Sequence, residues 1–206
     1  LHGVEGFAGS AMQLAMIDAE LASPPDYDLL LIHAINPFGF HYRRRVNAAH
    51  LDLNRNAPLS GEKPENPGYE RVRHLFNPGI PLERSPPRRR LAMAAIMARA
   101  VFDKQTVKSA FLSGQYSDPT GPFYGGEARA AEVDNVAELL VELAPSYDSV
   151  GHFDLHTGYG VRGCAHLMCQ SDASREAWRE LGFEPEPERD GASYPMHGEL
   201  LSFLEV

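Results

Sequence analysis

The stretch YDLLLIHAINPFG, residues 27–39, constrains this chain more than any other. From Leu29 to Ile35 it is an almost unbroken apolar run, stopped by Asn36-Pro37 and Gly39. A strand with one wet face alternates apolar and polar side chains. A run without that alternation reads as a strand covered on both faces. Such strands belong to sheets packed between helices, so the stretch predicts a parallel sheet with helical neighbours.

The flanking sequence supplies candidate helices. Ala11, Leu14, Ala15 and Leu21 recur at three- and four-residue steps, with Ser10 in a capping position and Pro24-Pro25 as a stop. Residues 56–87 are rich in Pro, Gly, Asn and charge and read as a long surface loop. A helical pattern returns over 88–111 through Leu91, Ile96, Ala100 and Val107, and GQYSDPTGPFYGG (114–126) breaks it. A helix over 130–143, strands at 149–156 and 165–170, a short helix through Trp178 and a polar connector at 183–193 complete the order. The expected fold class is α/β: a mostly parallel or mixed central sheet with helices on both faces. With 206 residues, 43% hydrophobic and 23% charged, one domain spanning residues 1–206 accounts for the whole chain.

Charge narrows the partners. Nineteen basic against 28 acidic residues give a net charge of -9, which disfavours binding to nucleic-acid phosphates and points to a small molecule or peptide. No apolar stretch reaches the roughly 18 residues of a membrane span, so no membrane contact is expected, and a cytoplasmic location is taken as the default because a missing upstream segment could hide a signal. Composition does not set the oligomeric state. Cys164 and Cys169, five apart, would point to opposite faces of a strand and are not expected to form a disulfide.

Three stretches carry chemistry. His2 and Glu5 sit three residues apart, and imidazole nitrogen and carboxylate oxygen can converge on one zinc ion. The bland alternative is an exposed His beside a first-turn Glu. NPFGFHYRRRVNAAHLDLNRN leaves the apolar run and delivers Arg45, Asn54 and Arg55 to loops where open α/β sheets bind ligands. Arginine offers a planar fork of donors suited to carboxylates, and the alternative here is a solvated basic turn. In HFDLHTGYG, His156 ends an expected strand and can complete a three-ligand site with a position open for water. Asp154, two residues earlier, shares its face and could orient a ligand.

In this order and spacing, HGVEGF, NPFGF with RVN and DLNRN, and DLHTG resemble the zinc carboxypeptidase superfamily. Among its branches the chain is most similar to an uncharacterised bacterial one, and DLHTG is also similar to the aspartoacylase and succinylglutamate desuccinylase branch. The resemblance spans His2 to about Gly160. It implies His2, Glu5 and His156 as zinc ligands, Arg45 as the cation that meets the oxyanion, and Asn54 and Arg55 as the grip on a substrate carboxylate. It implies Zn2+ as cofactor and a peptide or N-acyl amino acid with a free carboxylate as substrate.

The family also uses a general-base glutamate on a late strand. Glu205 is the nearest candidate but lies on helix-like spacing with Leu200, Leu201 and Leu204. The expectation is that the base lies beyond Val206, that the chain is a piece cut at both ends, and that alone it binds zinc weakly. Tyr116, Phe123 or Tyr124 could form an aromatic lid, although a loop packing its own aromatics is the plainer reading. His33, His41, His50, His74, His152, His166 and His197 read as structural, with His33 a hydrogen-bonded core residue.

The leading expectation is therefore a zinc metallocarboxypeptidase-like hydrolase of an amide bond adjacent to a free carboxylate. An N-acyl amino acid deacylase and a non-catalytic carboxylate-binding domain are the alternatives.

Overall fold

A computed structural model of the chain describes residues 1–23, 26–57, 63–76, 113–157 and 172–180, with isolated positions elsewhere. The chain divides into two compact units, one built on Leu1–Leu155 and the other on His156–Tyr194. The expected helix over 88–111, the strand at 165–170, the connector at 183–193, Cys164 and Glu205 lie outside the described residues, apart from single positions.

In the first unit, α1 spans Gly6–Ala22. Its Ala, Leu, Met and Gln content favours helix, and the Pro pair beyond Ser23 ends it. The helix begins four residues before Ser10. The turn that carries His2 and Glu5 already winds the chain, with the Gly6 amide donating to the His2 carbonyl at 3.1 Å, so no side-chain cap is needed.

Residues 29–35, expected as a strand, form neither helix nor paired strand among the described residues, and Leu29 and Leu30 are exposed. Gln13 ties this segment to α1 by donating to the Ile32 carbonyl at 3.1 Å. His33 is exposed, its ring edge-on to Phe40 at 5.1 Å, and so is not the core residue expected. Residues 149–157 likewise have no regular structure. Among the described residues one isolated parallel β-bridge joins Gln115 to Tyr124.

Both Asn-Pro pairs in the described region open helices. Asn36 accepts from the Gly39 amide at 2.8 Å and caps α2, Pro37–Tyr42. Asn66 accepts from the Tyr69 amide at 2.8 Å at the start of α3, Pro67–Phe76. Proline at the first helical position has no amide hydrogen to leave unpaired, and the preceding asparagine satisfies one that would be. Helix α3 corrects the reading of 56–87 as loop throughout: Tyr69 and Val72, three apart, bury one face in a cluster with Ala110. Helix α4, Ala131–Leu143, matches the expected span to within a residue, and Glu132 and Asp134 in its first turn suit the helix dipole.

The core lies under the sequence LDLNRNA. Leu53, Ala57, Ala130 and Val133 form a buried cluster, with Leu1, Ile35 and Leu51 packed against it. Burying Val133 fully contributes roughly 1.5–3 kcal/mol. Around this cluster the buried residues are largely polar: His2, Asn47, Asp52, Asn54, Arg55 and Asn56. In the second unit, α5 spans Asp172–Glu180, in agreement with the short helix expected through Trp178.

Candidate metal centre

Buried polar groups persist only when hydrogen-bonded, so the partners of this set define what it does. Asn47 bends the chain after Arg45, accepting from the amides of Ala49 and Leu51 at 3.0 and 2.9 Å and donating to Glu132 at 3.0 Å. Asn56 pins the far side, donating to the carbonyls of Gly125 and Ala128 at 2.6 and 2.9 Å and accepting from the Ala130 amide at 2.6 Å. Between them the 3-10 turn Leu53–Arg55 starts on Asp52, whose side chain accepts from the Asn54 amide at 3.2 Å.

The loop 113–126 closes over this turn. Gln115 is its hub: Oε1 accepts from the amides of Ser117 and Asp118 at 3.0 and 2.8 Å, and Nε2 donates to the carbonyls of Asp118 and Pro122 at 2.8 and 3.2 Å. The Asp52 amide donates to the Tyr124 carbonyl at 2.8 Å, and the Tyr116 hydroxyl donates to the Arg55 carbonyl at 2.6 Å. Gly125 permits this approach, since a Cβ there would overlap the Tyr116 ring and the Arg55 carbonyl. Of the three lid candidates, Tyr116 and Tyr124 are drawn inward, while Phe123 lies part-exposed against Arg45.

His2 stands at the entry to α1, 8% exposed. Its loop presses on α2: the Gly3 amide donates to the Arg44 carbonyl at 3.0 Å, and a Cβ on Gly3 would overlap the Gly39 carbonyl. The two imidazole nitrogens have different partners. Nε2 lies 3.0 Å from Asp52 Oδ1, and Nδ1 lies 2.9 Å from Glu5 Oε2. An ionised carboxylate only accepts, so the bond to Asp52 needs hydrogen on Nε2 and the bond to Glu5 needs hydrogen on Nδ1, a hydrogen that a bound metal ion would replace.

Asp52 is the residue that sequence reasoning passed over, although it stands two positions before Asn54-Arg55 in the quoted motif. It is fully buried and bridges two expected site residues, His2 through Oδ1 and Arg45 Nε through Oδ2 at 2.7 Å. Burial alone would push its pKa up. The His2 hydrogen bond and the charges of Arg45, His2 and Arg55 outweigh burial and hold the carboxyl well below its usual range.

The structure thus brings His2, Glu5, Arg45, Asn54 and Arg55 into one neighbourhood organised by Asp52. Asn54 and Arg55 are buried, Arg55 to 2% exposure. His156 is the first residue of the second unit and is exposed. Among the described residues no group of three or more His, Cys, Asp or Glu side chains is arranged to hold a metal ion. The donors present nonetheless suit zinc. One imidazole nitrogen faces a carboxylate, and the other is fixed by a buried carboxylate, the arrangement that orients metal-binding histidines.

The family described as "Protein of unknown function (DUF2817)" matches residues 1–200. The chain belongs to this family. The span shared with DUF2817 takes in His2, Glu5, Arg45, Asp52, Asn54, Arg55 and His156. No curated protein and no solved structure matches the chain. Among its described residues, no helix is long and apolar enough to cross a membrane.

Proposed function

We propose that this chain is a zinc-dependent hydrolase that cleaves an amide bond adjacent to a free carboxylate, carboxypeptidase-like in chemistry and in its α/β fold. The observation that carries the reading is the linked set Glu5, His2, Asp52 and Arg45. It joins two residues with metal-ligand chemistry to a cation through one buried carboxylate.

His2 through Nδ1 and Glu5 through its carboxylate would hold the ion, and the resemblance assigns His156 as the third ligand. Zinc in such a site polarises a carbonyl and acidifies water. The chain's own residues do the rest. Asp52 keeps hydrogen on His2 Nε2 and holds Arg45 by Nε, so that the guanidinium can meet negative charge developing on the scissile carbonyl oxygen. Asn54 and Arg55 are the proposed grip on the substrate carboxylate.

The deacylase reading has an observation of its own. Arg55 at 2% exposure suits a small acyl amino acid in a closed pocket better than a peptide in an open groove.

The test is zinc content by mass spectrometry of the purified chain and its His2→Ala and His156→Ala variants. Weak, substoichiometric zinc in the parent and a further fall in both variants is expected. Unchanged zinc in either variant removes that residue from the site. Binding of N-acetyl amino acids against C-terminal dipeptides, read by calorimetry, separates the two substrate classes.

A further inference from the structure

The Arg45 guanidinium is gripped from two sides. Its Nε donates to Asp52 Oδ2 at 2.7 Å, and its Cζ lies 5.2 Å from the centroid of the Phe123 ring. Among the described residues neither Nη nitrogen has a hydrogen-bond partner, and the side chain is 38% exposed. Four donor hydrogens are thus unused among the described residues.

Phe123 adopts its position at a cost. Its φ is 62°, in the left-handed region that a bulky side chain rarely occupies, although glycines stand at 121, 125 and 126 in the same loop. The conformation is held from both sides. The Phe123 carbonyl accepts from the Gln115 amide at 3.0 Å, and the carbonyl of the next residue, Tyr124, accepts from the Asp52 amide at 2.8 Å. The ring that covers Arg45 is thus tethered to the residue whose carboxylate binds Arg45 from the other side.

We propose that Phe123 is a positioning residue for Arg45: its ring face and the Asp52 carboxylate clamp the guanidinium so that both Nη nitrogens face a tetrahedral oxyanion. The proposal rests on reading Arg45 as the oxyanion-facing cation. An arginine on its long stem samples many orientations, and a stacked face with a bonded Nε restricts it to one plane. The aromatic face also adds electrostatic attraction for the cation without consuming a donor.

The test uses inorganic phosphate as the tetrahedral oxyanion and the full chain in EDTA, so that phosphate meets no metal. The Arg45 Nε–H resonance, assigned by its loss in Arg45→Lys, is followed by 15N NMR. In the parent chain this resonance carries a ring-current shift and moves on phosphate addition. In Phe123→Leu the ring-current shift disappears and phosphate affinity falls about two- to five-fold, the size of an exposed cation–π contact. Phe123→Tyr, which keeps the ring face, restores both. Phosphate affinity in Phe123→Leu equal to the parent's, or in Phe123→Tyr as weak as in Phe123→Leu, overturns the positioning role while leaving Arg45 as the oxyanion cation. An Arg45 resonance that phosphate does not move in the parent overturns the reading of Arg45 itself, and the positioning role with it.

Discussion

Arg45 and Asp52 share a 2.7 Å hydrogen bond whose two ends lie in different surroundings, the carboxylate fully buried and the guanidinium side chain 38% exposed. A buried carboxylate is tolerated because His2 and the Asn54 amide also donate to it. Asp52→Asn keeps the shape and removes the charge that holds both Arg45 and His2. It is expected to lower stability by about 1–3 kcal/mol in urea unfolding. If His2 holds zinc as proposed, zinc affinity, measured by chelator competition, should fall about 10–100-fold, the range for groups that orient a metal-binding histidine. Unchanged zinc affinity in Asp52→Asn would argue that Asp52 serves the fold alone.

Asp52 also sets an acid limit. Its folded pKa lies below the unfolded value of about 4, so the folded chain binds fewer protons in that range. The stability it contributes is present above pH ~4 and is lost as pH falls through the depressed folded value. Unfolding free energies between pH 6 and 3 should therefore drop more steeply in the parent than in Asp52→Asn. Parallel curves would contradict this.

Tyr116 sets the opposite limit. Burial pushes its hydroxyl up to about 12, with the Arg55 charge pulling down and Asp52 pushing up. A raised folded pKa means stability that is complete below pH ~10 and lost as pH rises toward 12. Tyr116→Phe should lower stability at pH 7 by about 1 kcal/mol through loss of the bond to the Arg55 carbonyl. It should also flatten the decline above pH 10, and tyrosinate absorbance at 295 nm should show one high-pH titration fewer.

Asn56 binds three backbone groups from residues 125–130, more than 60 positions away in sequence. Asn56→Ala leaves the Ala130 amide and the carbonyls of Gly125 and Ala128 without this partner, at an expected cost of about 2–4 kcal/mol. Because the loop over Arg55 hangs on this residue, proteolysis within 114–126 should accelerate in the variant. A loop cut at the parent rate would place the anchor elsewhere.

Gly125→Ala tests the same closure from the other side. Its methyl group would overlap the Arg55 carbonyl and the Tyr116 ring, so the loop must lift or the turn must shift. The expected loss is about 1–3 kcal/mol of overpacking strain in thermal unfolding. A variant as stable as the parent would show that the loop does not close as described.

Helix α4 was legible in the sequence because apolar residues recur at helical spacing from Val133 to Leu143, and the short α5 was legible around Trp178. Helix α3 was not, because Asn66-Pro67-Gly68 looks like a break. Only the fold shows the asparagine side chain turned onto the Tyr69 amide. The run 29–35 shows the limit of periodicity: an apolar run specifies a wish for burial, while pairing partners decide whether a strand forms. The residue types His2, Glu5, Arg45, Asn54 and Arg55 were fixed as candidates by local chemistry and spacing alone.

What the sequence by itself determined is therefore a set of candidate site side chains and the helices with strong local signals, since both depend on near neighbours. The tertiary structure alone decided that Asp52 joins His2 to Arg45, that Phe123 covers Arg45, and that Arg55 is buried beneath the 113–126 loop. The Arg45–Asp52 bond spans seven positions, but the contacts of Asp52 with His2, of Phe123 with Arg45 and of Tyr116 with Arg55 join residues about 50 to 80 positions apart. No local pattern encodes the distant ones, and only the closure of the chain on itself brings them into contact.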